Sequence, residues 1–435
     1  MVDIFNEGVD IPEIDTVMFL RPTESLTIFL QQFGRGLRKA EGKDHLTVLD
    51  FVGHSRSEFN YQDRFRALMG KTSMSVAEEI SRDFPHLPLN CHITLERQAR
   101  EYILENIECA LRNTNRSRIL NMVRDFKRNY NLPLNLHNFT LLTGVTVEKI
   151  YKSTTWYDFL YLAGIHSQLS PYAKDLQRTV YRKWLSTDSF SYFTFILKLA
   201  EQGFRVEASA LTPKESKMAL MLYYDMFDAA GRFESLQQMF DAFAADRLLV
   251  EEMKETVYEM RERCVAPEKE DNSALAFSMP LKVHGVYTKA QIQVAIGTNL
   301  INRKSSSREG CERNYDLGIE AMYVDIIKDR EEGSNTNYND FALDRQAFHW
   351  ETQNSVSPQS AIGQKYINKE LHMLLFVRQQ ATVPEDKSRR MGYIYLGEVD
   401  LVSYEGSRPM RIVWRLRTPM AESTYSFAAK FKALG

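Results

Sequence analysis

The chain has 435 residues, 44% of them hydrophobic and 26% charged, and a formal net charge of −2. This is the composition of an ordinary soluble globular protein with room for roughly two to four domains, and it excludes a global charge that would advertise a nucleic-acid partner. Charge is uneven along the chain: residues 1–80 carry 9 basic and 13 acidic side chains, residues 281–435 carry 21 and 18. Cys91, Cys109, Cys264 and Cys311 show no CxxC spacing, which argues against a zinc site or a disulfide framework. Free thiols, no apolar run of membrane-spanning length and no signal-peptide pattern together read as a cytoplasmic protein without a membrane partner.

In chain order, VDIF at 2–5, TVMFL at 16–20 and HLTVLDFV at 45–52 are β-rich apolar runs of the kind a buried parallel sheet uses. Between the last two, Leu26, Phe29, Leu30 and Phe33 recur at helical spacing after Pro22-Thr23. Gly34 is expected to end that helix, leaving Arg35 and Arg38 at or just beyond its end. The order strand, strand, helix, strand predicts a piece of a doubly wound α/β domain.

FNEGVDIPEIDTV at 5–17 followed by QQFGRGLR at 31–38 resembles motifs V and VI of superfamily 2 helicases, in their second RecA-like domain. The resemblance implies that Asp10, with Gly8 and Gly34, serves the nucleotide, and that Arg35 and Arg38 reach its γ-phosphate as arginine fingers. Gln31 takes the first position of motif VI, which couples nucleotide state to domain closure. The chemistry suits this: phosphoryl transfer spreads negative charge that a permanently charged planar guanidinium stabilises. The plainer alternative is a solvated helix end.

A motor of this type needs a phosphate loop and an acidic Mg²⁺-binding motif. Gly70-Lys71-Thr72 imitates the loop, but Phe65 stands where a glycine belongs and no apolar strand precedes it. No DEAD- or DEAH-like box occurs. The sequence therefore reads as the C-terminal fragment of a helicase whose parent uses ATP and Mg²⁺. No nucleotide is expected on this piece, and its first RecA-like domain is expected as a partner.

Residues 76–265 read as a helical domain. Leu95, Ala99, Tyr102, Ile103, Ile107, Ala110 and Leu111 make one stripe, and Ile119, Met122, Val123, Phe126 and Tyr130 another; further helices are expected around 172–184, 190–203, 214–229, 233–245 and 247–264. HNFTLLTGVTVEKIYKSTTWYDFLYLAG at 137–164 has the spacing of a helix-turn-helix offering Lys149, Lys152, Ser153 and Thr154 to phosphates. The alternative is a bundle segment with Ile150, Trp156, Phe159 and Leu162 in its core.

Residues 266–279, opening with the polar APEKEDNSA, read as a linker. Beyond it, 280–435 is β-rich, with only the stretch near 289–297 helical, and predicts a small, mainly antiparallel barrel or sandwich. The fold class is thus multidomain α+β, with a RecA-like piece at 1–75, an all-α middle and a β-rich end.

FHWETQNSVSP at 348–358, GQKYI at 363–367, LLFVR at 374–378 and YLGEVDLVSYEGSRPMRIVWRL at 395–416 resemble a bacterial region called domain of unknown function 3427. That region ends superfamily 2 helicases, often ones with an N-terminal phospholipase-D-type nuclease domain. It implies work in DNA restriction, repair or phage defence.

Two functions compete for this tail. As a recognition module for DNA or RNA, it would lay Arg411, Arg415 and Arg417, which share strand parity, along a phosphate backbone, with Arg408 nearby. His349, Trp350 and Tyr366 would stack on or read bases. As a nuclease, it would use Asp340 with Glu351-Thr352-Gln353, a weak echo of a D…(D/E)xK metal site in which glutamine replaces lysine. A purely structural or protein-interaction module is the third reading: Phe348 and Trp350 face the core, and alternation turns His349 and Glu351 outward.

Overall fold

β1 (Thr16–Phe19) and β2 (Thr47–Asp50) run parallel in the computed structural model, with Thr16 opposite Thr47 and Phe19 opposite Asp50. The structure describes residues 11–20, 26–52, 61–69, 75–85, 87, 91–112, 114–130, 132–271, 273, 275, 277–307, 310–327 and 339–429. The chain divides into two units, Met1–Thr146 and Val147–Gly435.

In the first unit, α1 (Leu26–Gly36) is the crossover between the two strands, as a parallel pair requires. Phe29 is buried and lies 5.1 Å, ring to ring, from Phe19. The expected stop at Gly34 is corrected: the helix runs two residues further, so Arg35 lies in its last turn. VDIF, Gly8 and Asp10 fall outside the described residues, as does Gly70-Lys71-Thr72. Among the described residues five helices follow: α2 (Tyr61–Met69), α3 (Val76–Ser81), α4 (Arg97–Arg112), α5 (Arg116–Asn129) and α6 (Leu136–Thr143). Arg64 of α2 is buried, pairs with Asp50 at 2.9 Å and lies 3.9 Å over the Phe29 ring, tying the helices to the βαβ piece.

The second unit opens with seven helices: α7 (Val147–Ser153), α8 (Trp156–Leu162), α9 (Ala173–Arg182), α10 (Phe190–Glu201), α11 (Pro213–Phe227), α12 (Leu236–Ala245) and α13 (Arg247–Glu262). Ile150, Trp156 and Phe159 are buried as the bundle reading expects, while Leu162 is 38% exposed. Gly144, with φ of 73°, caps α6, and the division between units falls inside the helix-turn-helix candidate. The rest comprises β3 (Val286–Tyr287), α14 (Lys289–Ala295), β4 (Cys311–Asn314), β5 (Ile319–Asp325), β6 (Phe341–Ala342), β7 (Ala347–Glu351) and α15 (Ala361–Ile367). It closes with β8 (His372–Arg378), β9 (Thr382–Val383), β10 (Asp386–Arg390), β11 (Tyr393–Glu405), β12 (Arg411–Leu416) and α16 (Glu422–Ala428).

Eight strands form one sheet in the order β4-β5-β8-β11-β12-β7-β6, with β3 also paired to β11; β9 and β10 make a separate ribbon. β5 and β8 are parallel and the other pairs antiparallel. Among the described residues it is a large mixed sheet whose path runs from β4 to β6. β5 and β8 are buried at nearly every residue, which is why both read as continuous apolar runs. One face carries Met322, Phe348, Trp350, Leu375, Ile412 and Trp414 in a single core. Asp225 of α11 is buried, and its Oδ2 accepts from Trp184, Tyr192 and Gln291 of α14 at 2.8–3.0 Å, joining the helices to the sheet region. The stretch read as a linker is held on several sides. Glu268 accepts from Ser189 and the Ser191 amide, Asp271 accepts from Tyr395, and Lys269 bridges Val283.

Candidate functional site

Gly34, Arg35 and Arg38 lie at the C-terminal end of α1, and Gln31 lies at its middle. Gln31 and Gly34 are exposed, Arg35 is half-buried, and Arg38 is exposed just beyond the helix. The Lys43 ammonium donates to the carbonyls of Gly36 (2.6 Å), Arg38 (2.8 Å) and Pro12 (3.1 Å), so a cation closes the negative end of the helix dipole.

In the second unit the alternation of β7 holds. Phe348 and Trp350 face the core, and His349 and Glu351 face away. Trp350 is 5% exposed and Tyr366 2%, their rings edge-on at 5.9 Å, and both pack in the core of the sheet. Tyr366 donates to Glu320 at 2.7 Å, beside a bidentate Arg313–Glu320 pair. The His349 ring stacks on Phe341 at 4.8 Å and its Nδ1 lies 2.8 Å from the Asn339 carbonyl oxygen.

Arg411, Arg415 and Arg417 share the exposed face of β12 and its extension, but they are not equivalent. Arg411 lies 3.5 Å from Glu405 and 3.8 Å from Glu351. Arg417 grips Asp400 with two hydrogen bonds, at 2.9 and 3.1 Å, and also pairs with Glu398. Those hydrogen bonds hold the Asp400 carboxyl below its usual range. Arg415 is exposed and forms no ion pair among the described residues.

The carboxyl ends of the parallel strands β5 and β8 open into a cleft of about 920 Å³. Ligands gather at such strand ends in parallel sheets. Asp325 ends β5 and Arg378 ends β8; they are cross-strand neighbours joined at 2.6 and 3.0 Å, and Arg378 also lies 4.1 Å over the Tyr393 ring. Arg182, Lys183, Lys289, Arg378 and Arg390 line the cleft against three carboxylates, Asp325, Asp340 and Glu351. Burial pulls the pKa of Lys289 and of Lys183 below the ordinary lysine value. Lys289 sits 4.8 Å from the Tyr323 ring centre. The buried Tyr323 hydroxyl lies near Glu312 but completes no hydrogen bond of ordinary geometry.

Asp340, Glu351 and Gln353 do converge on this cleft. Their carboxylates are engaged locally, however: Asp340 accepts the Glu351 amide at 2.9 Å, and Glu351 accepts the Asn339 amide at 3.1 Å. Among the described residues no three His, Cys, Asp or Glu side chains come together as metal ligands.

Residues 281–428, from before β3 to the end of α16, match the family described as "Domain of unknown function (DUF3427)". A 52-residue stretch of the chain is 48% identical to the Saccharomyces cerevisiae protein named "Putative ATP-dependent helicase IRC3". That stretch is 12% of this chain and 8% of that protein, so the chain spans under a tenth of this curated relative's length. The two matches give the chain a helicase-associated link.

Sequence reasoning missed Lys289, Tyr323, Asp325, Arg378 and Tyr393 as one cluster. A usable signal was present: AMYVD and LLFVR are apolar runs that each close on a charged residue, of opposite sign. Among the described residues no helix is long and apolar enough to cross a membrane.

Proposed function

We propose that this chain is the C-terminal part of an ATP-dependent helicase or translocase whose sheet region engages nucleic acid. The observation that carries this reading is the 48% identity to a helicase-named protein over 52 residues. In a longer protein that supplies a phosphate loop and Mg²⁺, Arg35 and Arg38 act as arginine fingers, with Gln31 relaying nucleotide state. The second unit contributes Arg415 and the cation-rich cleft, which select where a motor works in DNA restriction, repair or defence. Without a phosphate loop, residues 1–75 do not turn over ATP by themselves.

Two measurements test this. In the longer protein, Arg38→Ala is expected to lower nucleic-acid-stimulated ATP turnover by about 10³-fold, since fingers act on the transition state; normal turnover removes the role. Fluorescence anisotropy of this chain with DNA and RNA duplexes and single strands is expected to show binding in low salt, weakened by Arg415→Glu. No binding below about 100 µM would overturn the recognition role. The convergence of Asp340, Glu351 and Gln353 supports a nuclease as second reading. It predicts Mg²⁺-dependent cutting abolished by Glu351→Gln, and it ranks second because both carboxylates already serve backbone amides.

A further inference from the structure

A second cavity of about 290 Å³ lies between the helices and the sheet of the second unit. The α9–α10 connection supplies Ser186 and Asp188, the end of α13 supplies Arg263 and Cys264, and the β10–β11 region supplies Arg389. Three guanidinium groups line it, of Arg263, Arg378 and Arg389, against one carboxylate, that of Asp188. Asp188 is already committed, accepting the amides of Val265 at 3.1 Å and Ala266 at 3.2 Å. Arg378 is neutralised by Asp325.

Arg389 is 5% exposed. It pairs with Glu148 at 2.9 Å and reaches the Leu185 carbonyl at 3.5 Å, yet its Nε has no acceptor. The buried Ser186 Oγ, on the same wall, also has no partner. Buried donors left unpaired cost about 1–3 kcal/mol each and are few in folded proteins. Two of them line one cavity together with the guanidinium of Arg263, which forms no ion pair among the described residues. A water molecule satisfies one donor but not that charge. A tetrahedral oxyanion satisfies both, because its oxygens accept several hydrogen bonds at once and a guanidinium fork matches their spacing.

We propose that this cavity binds a phosphoryl group, either inorganic phosphate or the terminal phosphate monoester of a nucleotide or nucleic-acid end. The site adjoins the strand-end cleft, with Arg378 on the wall of both, and does not depend on the helicase reading. Bound there, the anion bridges the α9–α10 connection, α13 and the β10–β11 region.

The test is thermal unfolding and calorimetric titration of the full chain with inorganic phosphate, and with short oligonucleotides that differ only in a 5′-phosphate, at ionic strength matched by NaCl. Phosphate is expected to raise Tm where NaCl does not, as a ligand of the folded state does. Arg263→Gln and Ser186→Ala are each expected to weaken phosphate binding by about tenfold, whereas Arg415→Gln leaves it unchanged. Tighter binding of the 5′-phosphorylated oligonucleotide than of its unphosphorylated counterpart, with the difference lost in Arg263→Gln, assigns the site to nucleic-acid ends; equal binding of the two, with inorganic phosphate still bound, assigns it to free phosphate. A phosphate response equal to that of NaCl, or unchanged affinity in both Arg263→Gln and Ser186→Ala, overturns the proposal.

Discussion

Arg378 and Asp325 face each other across the parallel strands β5 and β8, joined by two hydrogen bonds at 2.6 and 3.0 Å where both strands end. The Arg378 side chain is 11% exposed and that of Asp325 27%, so the pair is screened far less than a surface bridge. It fixes the floor of the cleft. Arg378→Met is expected to destabilise the chain by about 2–3 kcal/mol, because it leaves a largely buried carboxylate without its partner. Asp325→Asn, which keeps an acceptor, should cost about half as much. Urea denaturation of the two variants measures the difference, and equal losses would contradict the buried-charge argument.

Burial pushes the Glu252 carboxyl up to about 8, against hydrogen bonds from the Tyr157 amide and the Tyr151 hydroxyl that act in the opposite direction. In the unfolded chain the same group ionises near 4.5. Between these values the folded state holds a proton that the unfolded state has lost, so stability falls as pH rises from about 4.5 to about 8 and levels off above. The fall is on the order of 3–5 kcal/mol. Glu252→Gln keeps an acceptor for both hydrogen bonds and removes the titration. Its stability should change much less between pH 5 and pH 8, with a residual slope from Asp225, whose carboxyl burial also raises. An unaltered pH profile in Glu252→Gln would reject this account.

The two glycines of QQFGRGLR are expected to behave oppositely. A Cβ at Gly34 meets nothing within 4 Å, whereas one at Gly36 comes within 2.7 Å of Leu46 Cδ1 and 3.1 Å of Val17 Cγ2. Gly34→Ala should therefore stabilise the first unit by about 0.5–1 kcal/mol through helix propensity. Gly36→Ala should cost about 1 kcal/mol, because the half-buried Leu46 side chain must shift. Thermal melts compare them directly; a destabilised Gly34→Ala would mean that this position is constrained by something other than space.

What the sequence reveals here is what short-range pattern encodes. Phe29 against Phe19, the parallel β1–β2 pair, and Phe348 and Trp350 turned inward all follow from helical or alternating periodicity within a few residues. The five large helices of the second unit appear near their expected places for the same reason. The pairing of Arg417 with Asp400, 17 residues away, depends on β11–β12 register, which no local pattern fixes. The cleft is more distant still, since Lys289, Tyr323, Arg378 and Tyr393 come from four separate elements. The short helix α15 was missed because seven residues around Gly363 give too little periodicity to read. The parallel pairing of β5 with β8 in an otherwise antiparallel sheet was likewise beyond local pattern, since both strands are buried at nearly every residue and lie far apart in the chain.

That same register separates the arginines of β12 in their expected effect on nucleic-acid binding. Arg417 is held by Asp400 and Glu398, so a phosphate would have to displace two carboxylates to use it. Arg415, which stands opposite Asp400 in the register, forms no ion pair among the described residues, and neither do Arg182 and Arg390 at the cleft. If these three each neutralise one phosphate of a duplex, log K should fall with log salt at a slope of about −3. Arg415→Gln should then reduce that slope by about 0.9 and weaken binding to all sequences alike, since a phosphate contact carries no sequence information. Arg417→Gln should leave the slope nearly unchanged but lower stability, because Asp400 and the buried Glu398 lose their cation. Anisotropy titrations at four or five salt concentrations, with a melt of each variant beside them, distinguish the two residues. A slope changed by Arg417→Gln and not by Arg415→Gln would invert the assignment and show that the ion pairs seen here open on binding.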